Sequence, residues 1–262
     1  MVTIPAKAKT RIVAGIKKFK PILSKALDKD INESDTVTII GDMLSDIFGY
    51  DKYSEITSEY VVKKTFCDLA VELNGNVAFL IEAKAIGLSL KDDFVKQAVD
   101  YGANAGIEWV VLTNGLIWRV YKIVFAKPIS QELVYEFDIS AIDLKKQTDL
   151  EQLFYLCREA MIKSSKLSLA DYCEQKQILN KFTISQLLLN DVVLDTIRKT
   201  LRKMAPEAKT SNEEIAAILS DEIIKRDALD GEKALEAKKR VAKWQRSVER
   251  KKAASKTNTS EN

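Results

Sequence analysis

Phe66-Cys67-Asp68-Leu69-Ala70-Val71-Glu72-Leu73-Asn74-Gly75-Asn76-Val77-Ala78-Phe79-Leu80-Ile81-Glu82-Ala83-Lys84 is the stretch that decides how this chain folds. Asn74-Gly75 favours the positive φ angles of a tight hairpin turn. The apolar runs on either side read as strands over 67–73 and 77–83. Asp68 lies on the first strand, and Glu82 and Lys84 end the second. Side chains two apart on a strand share a face, so Lys84 points the same way as Glu82. An aspartate, a glutamate and a lysine are expected together at a sheet edge.

The bare acid-x-Lys pattern carries little information. It occurs at Glu82, Asp143, Glu174, Glu207, Glu236 and Glu249. Only the first ends an apolar strand that follows an aspartate-bearing one. The other five fall in helical or polar stretches, where acid and lysine are ordinary solvated surface.

Periodicity extends the reading outward. Residues 5–28 form a basic helix with Ile12, Val13, Ile16, Phe19, Ile22 and Leu23 on one stripe. A second helix over 34–48, capped by Ser34 or Asp35, ends at Gly49. A strand at 59–66 precedes the hairpin. A helix at 90–104 follows it, then strands at 108–113 and 116–123 joined at Asn114-Gly115, and an edge strand at 133–138. After residue 145 only helices are expected, at 149–163, 168–180, 183–204, 211–227 and 231–252. The Ser/Thr/Asn/Lys-rich tail is expected to be disordered. The chain therefore divides into a basic N-terminal helix (1–28), an α/β body (29–148), a helical C-terminal region (149–252) and a tail (253–262).

Apolar residues make up 46% of the 262, enough for a real core. No apolar run approaches the ~20 residues that span a bilayer, and the basic N-terminus lacks the pattern of a signal peptide. A cytoplasmic location is the expectation. The three cysteines are widely spaced and read as free thiols. Histidine is absent, which excludes His-based general acids and the Ser-His and Cys-His nucleophile pairs. Carboxylates, lysine and tyrosine must carry any catalysis. No Gly-rich loop of the ATP-binding type occurs.

Charge is segregated. Residues 1–25 hold seven Lys/Arg and no acid, and residues 233–256 hold ten against Glu236 and Glu249. Residues 26–232 hold 24 basic and 35 acidic residues, a balance of −11. The two basic segments read either as solvated surface or as contacts to phosphate backbone.

Asp68 and Glu82 offer carboxylate oxygens, and the Ala83 carbonyl a further one, to a hard cation such as Mg²⁺. Such a set suits hydrolysis of a phosphodiester by activated water, with Lys84 orienting the water and offsetting charge on phosphorus.

Asp68, Glu82-Ala83-Lys84 and Gln97-x-x-x-Tyr101 resemble the PD-(D/E)XK nuclease superfamily. More closely, residues from about Glu33 to Lys122 resemble the N-terminal nuclease domain of type I restriction enzyme R subunits. Phe48-Gly49-Tyr50-Asp51 and the run from Trp109 to Tyr121, Val110-Val111-Leu112-Thr113-Asn114-Gly115-Leu116-Ile117-Trp118-Arg119-Val120 between them, carry that likeness. The resemblance implies a restriction-endonuclease-like mixed sheet flanked by helices, with an all-helical C-terminal extension. It implies Asp68 and Glu82 as metal ligands and Lys84 as the catalytic lysine. It implies Gln97 and Tyr101 as a pair that helps place DNA and the lysine; alone, they read as a helix that packs Tyr101 and exposes Gln97. A further acid from the first helix matches Glu33, with Glu59 as a rival. Mg²⁺, replaceable by Mn²⁺, and DNA are the implied cofactor and partner. Phe66-Cys67 stands where the family name has proline, and no motor domain follows in this chain.

Three readings compete: an endonuclease in restriction or defence against foreign DNA, a nuclease-fold subunit that binds DNA or a protein partner without cutting, and a scaffold built on the C-terminal helices. The apolar faces of those helices, at Ile184, Leu187, Leu188, Val192, Ile197 and Leu201 and at Ile215, Ile218, Leu219 and Ile223, lead us to expect a homodimer or higher homo-oligomer. Trp109 and Trp118 read as core, and Trp244 as part of a docking interface.

Overall fold

A computed structural model describes residues 3–62, 65–125, 127–162, 169–207 and 209–257. Residues 1–173 form one compact unit and 174–262 a second. In the first, α1 (Ala6–Asp28) and α2 (Glu33–Asp46) precede a six-stranded sheet in the order β1 (Ile56–Val62), β2 (Thr65–Leu73), β3 (Asn76–Ala83), β4 (Trp109–Thr113), β5 (Ile117–Val124), β6 (Ser130–Asp138). The β3–β4 pair is parallel and is crossed over by α3 (Asp92–Ala105); the other pairs are antiparallel. The mixed α/β sheet flanked by helices is the architecture the sequence implied. Helices α4 (Gln147–Phe154), α5 (Arg158–Met161) and the start of α6 (Leu169–Ile178) complete this unit.

The sheet is covered on both faces. On one, Ile12, Ile16, Phe19 and Leu23 of α1 and Ile40, Met43 and Leu44 of α2 pack with Val71, Phe79, Ile81, Val111 and Trp118. On the other, Val95, Ala98, Val99 and Tyr101 of α3 pack with Ala70, Leu80, Val110, Leu112 and Tyr121. Its apolar stripe thus makes α1 part of the core, although the sequence set it apart as a separate helix. Gly15 permits its close approach to α2, since a Cβ there would lie 2.6 Å from Ile47 Cγ1. Arg11 fastens it further, donating to the carbonyls of Ile47 and Phe48 and to both carboxylate oxygens of Glu159.

The turn signal at Asn74-Gly75 is realised: φ is 53° and 75°, and Leu73 pairs with Asn76. Several boundaries differ from the periodic reading. The α2 cap is Asn32, whose side chain accepts from Asp35 N–H, and not Ser34 or Asp35. The strand placed at 59–66 begins earlier, at Ile56. The helix expected over 149–163 breaks after Phe154, where the Leu156 carbonyl accepts from the buried Tyr50 hydroxyl. Parts of the expected strand at 63–64 and helices at 163 and 168 lie outside the described residues.

In the second unit the helix expected over 183–204 is two helices, α7 (Lys181–Leu188) and α8 (Asp191–Met204). Asn190 divides them: its side chain caps Val192 N–H, and asparagine is a strong helix starter. The expected helix at 211–227 shortens to α9 (Asn212–Ile218), followed by a π turn and a 3-10 turn. α10 (Glu232–Thr257) continues through residues 253–257, which composition had assigned to a disordered tail; 258–262 lie outside the described residues. Ala234, Ala237 and Val241 are buried on α10. Among the described residues no helix is long and apolar enough to cross a membrane.

Candidate active site

The β2–β3 register pairs Leu69 with Ile81, so Asp68 stands opposite Glu82 one step further along the ladder. Opposed residues in an antiparallel pair share a face. Both carboxylates therefore lie on the α3 side of the sheet, where β3 ends. β2 and β3 are inner strands, so the acids lie at the end of the strands and not on an edge strand, the place the hairpin alone had suggested. The carboxyl ends of parallel strands are where ligands bind in many open sheets.

Asp68 Oδ2 accepts from the Ala83 N–H at 2.7 Å, which fixes the aspartate against the end of β3. Glu82 Oε1 accepts from Lys84 Nζ at 2.7 Å, as their shared face requires. Lys84 is anchored by its own N–H, which donates to Thr113 O and extends the β3–β4 ladder by one rung. Its ammonium also lies 3.5 Å from Glu33 Oε2 of α2, and 5.9 Å from the ring centroid of Phe94 on α3.

Of the two rivals for an extra acid, Glu33 therefore reaches the site's lysine. Glu59 is exposed on β1, with its backbone in the left-handed region at φ 51°. Gln97 donates to the Tyr101 hydroxyl through a short hydrogen bond. Tyr101 is buried among the apolar residues under α3, while Gln97 is exposed. Among the described residues no hydrogen bond joins this pair to Asp68, Glu82 or Lys84; α3 approaches the lysine through Phe94 instead. The helical pattern that included Phe94 was legible in the sequence, but its neighbour across the fold was not.

Burial raises the Glu82 pKa, and the facing carboxylates of Asp68 and Glu33 add to the rise while Lys84 opposes it. Burial pulls on Lys84 in the opposite direction, yet Glu82, Glu33 and Asp68 outweigh it, and its pKa stands above the usual value. The ammonium thus stays charged. Burial pushes the adjacent Cys67 thiol up to about 12, so no thiolate nucleophile is available here.

Two carboxylates face each other across a ladder, and such like charges repel unless a cation or proton lies between them. Their oxygens, with the Ala83 carbonyl, make an all-oxygen donor set of the kind that suits Mg²⁺ or Mn²⁺ and not a soft metal. Among the described residues no three Asp, Glu or Cys side chains are gathered tightly enough to hold an ion by themselves. Glu82 is engaged by Lys84, and Asp68 by a backbone N–H. The residues fit a cation that takes part of its shell from backbone and water, as Mg²⁺ does.

Residues 40–137 match the family model described as type I restriction enzyme R protein N terminus. The resemblance read from the sequence is borne out over that span, which runs from the middle of α2 through almost all of β6. Asp68, Glu82, Lys84, Gln97 and Tyr101 fall inside it, and Glu33 falls outside. No curated protein and no solved structure matches the chain.

Proposed function

Taking the restriction-enzyme family of residues 40–137 as the starting point, we propose that this protein is a metal-dependent endonuclease that hydrolyses DNA phosphodiester bonds, in restriction or defence against foreign DNA. The observation that carries the reading is the meeting of Asp68, Glu82 and Lys84 where β3 ends. Asp68, Glu82 and the Ala83 carbonyl would hold Mg²⁺ or Mn²⁺, with Glu33 as a further acid. The bound cation supplies acidification of water and stabilisation of the leaving oxygen. Lys84 orients the attacking water and offsets negative charge growing on the phosphoryl oxygens, which a fixed ammonium does best in a site shielded from solvent. The water oxygen bonds to phosphorus, the P–O bond to the leaving oxygen breaks, and the water's proton passes to solvent or to that oxygen. Gln97 and Tyr101 place DNA from α3. Incubation of purified protein with supercoiled, linear and single-stranded DNA in Mg²⁺, Mn²⁺ or EDTA tests this: cleavage with metal and none in EDTA is expected, and no cleavage under any condition would refute it.

A second reading, a nuclease-fold subunit that holds DNA or a protein partner without cutting, draws on the 2.7 Å bond from Lys84 to Glu82, which occupies a carboxylate oxygen that an ion would need. It predicts DNA retention with no product.

DNA contact by the basic segments is testable without deleting them. Lys7, Lys9 and Lys17 on α1 and Lys239, Lys243 and Arg246 on α10 are exposed. Neutralising either set to serine should weaken binding. It should also flatten the plot of log affinity against log salt by about 0.9 for each phosphate that is no longer neutralised. An unchanged slope in both variants would leave these charges as solvated surface.

Self-association through the C-terminal helices is supported by what they leave uncovered: Ile215 and Leu219 are buried against Leu194 within the unit, but Ile184, Val192, Ile218, Ile223, Leu235 and Trp244 are all exposed. A homodimer would bury them. Light scattering of the full chain should give twice the monomer mass; a monomer at tens of micromolar would remove the dimer.

A further inference from the structure

The segment between Lys84 and α3 links the strand that ends in the acids to the helix that carries Gln97 and Tyr101. It has no regular structure, yet every second residue of it is held by a side chain from the β4–β5 hairpin. Asn114 Nδ2 donates to the carbonyls of Ile86 (3.1 Å) and Leu88 (3.0 Å). Arg119 Nη1 donates to the carbonyl of Leu90 (3.0 Å). The Tyr121 hydroxyl donates to Asp92 Oδ1 (3.0 Å) in the first turn of α3. Positions 86, 88, 90 and 92 are thus laced in register to positions 114, 119 and 121.

Asn114 has a second, separate use. Its Oδ1 accepts from Leu116 N–H (3.2 Å) and Ile117 N–H (2.8 Å), which closes the turn between β4 and β5. The amide orientation is fixed by its partners, because two carbonyls can only accept and two N–H groups can only donate. The residue is 4% exposed, so its four bonds are made out of water's reach and a broken one is not replaced. An asparagine that served the turn alone would need only the oxygen.

We propose that Asn114 and Arg119 are positioning residues. They lace the 85–91 strap to the β4–β5 hairpin, and so set the distance and angle between Lys84 and the α3 pair Gln97 and Tyr101. The proposal rests on the nuclease reading. It gives a purpose to the side chains of the run from Leu112 to Tyr121, which meets Lys84 through the backbone carbonyl of Thr113.

Asn114→Asp separates the two uses. Aspartate keeps the oxygen that closes the turn, but offers no donor to Ile86 and Leu88. The variant puts a buried carboxylate oxygen against two carbonyl oxygens, so its Tm should fall, and circular dichroism checks that it still folds; its DNA affinity, measured in EDTA, should fall by much less than its turnover. Its turnover should fall by about 100-fold, the scale expected when catalytic groups are displaced by about an ångström. Amide hydrogen exchange should speed up across 85–91. Arg119→Gln provides a second cut in the same lacing and should shift exchange at Leu90 to Asp92. Glu82→Gln, run alongside, should lose cleavage with exchange over 85–91 unchanged. If wild type and Asn114→Asp cut at equal rates while Glu82→Gln is dead, the positioning role falls and the nuclease reading stands. Unchanged exchange over 85–91 in both lacing variants would also overturn it. A wild-type protein that cuts no DNA would overturn the nuclease reading and the positioning role with it.

Discussion

Replacing Glu82 by glutamine or Lys84 by alanine is expected to lower metal-dependent DNA cleavage by about 10³-fold, the scale seen when a preorganised charge at a reacting centre is removed. Neither change should unfold the protein. Glu82 is buried opposite Asp68, and folding raises its pKa. The folded state therefore holds the proton to higher pH than the unfolded state does. The ionised carboxylate opposes folding, and fully so above its folded pKa. Glu82→Gln removes that opposition, and Lys84 still has Glu33 at 3.5 Å. Thermal unfolding at neutral pH should show a Tm equal to or above wild type for Glu82→Gln, and a lower one for Lys84→Ala, which leaves the buried Glu82 without its 2.7 Å partner. Because a ligand to a cation must be ionised, metal binding competes with the proton on Glu82, and cleavage should weaken as pH falls. Wild-type cleavage by both variants would place the chemistry elsewhere. Absent cleavage together with a collapsed Tm would show only that the fold had been damaged.

The largest expected effect on stability lies in α1. Phe19 is 2% exposed and packs between α1 and the sheet core, so Phe19→Ala should destabilise the protein by about 3–5 kcal/mol. Lys17→Ser, two residues away and exposed, should change stability by less than about 0.5 kcal/mol. Chemical denaturation of the two variants decides whether α1 is core or appendage. A Phe19→Ala protein as stable as Lys17→Ser would detach α1 from the sheet. The same packing bears on DNA binding. Removal of residues 1–25 strips Ala8, Ile12, Ile16, Phe19 and Leu23 from the core, so a truncated protein would lose affinity by unfolding, whatever its lysines touch. Charge substitution on the exposed face avoids that confusion.

Some of this molecule was written locally. Asn74-Gly75 prefers positive φ, and a two-residue turn leaves the flanking strands little choice of register. A period of two then puts Glu82 and Lys84 on one face, but the turn's register alone would set Asp68 opposite Ile81; the shift of register between Val71 and Glu72, which the turn does not dictate, brings Asp68 into line with Glu82. The alternation of helix and strand from 34 to 138 was legible for the same reason, since burial of one face imposes a period that nearby residues carry. Helix ends were less legible, because asparagine caps such as Asn32 and Asn190 compete with a continuous apolar stripe that runs past them. What tertiary structure alone decided were pairings between segments with no shared period. Glu33 reaches Lys84 because α2 packs on one face of the sheet and begins near where β3 ends. Asn114 reads in sequence as a turn residue. Its two remaining donors find Ile86 and Leu88 only because parallel pairing of β3 with β4 brings the ends of those strands side by side. Whether α1 was an arm or a wall of the core could not be settled from its own stripe, since an apolar stripe records that a helix must be covered and not by what.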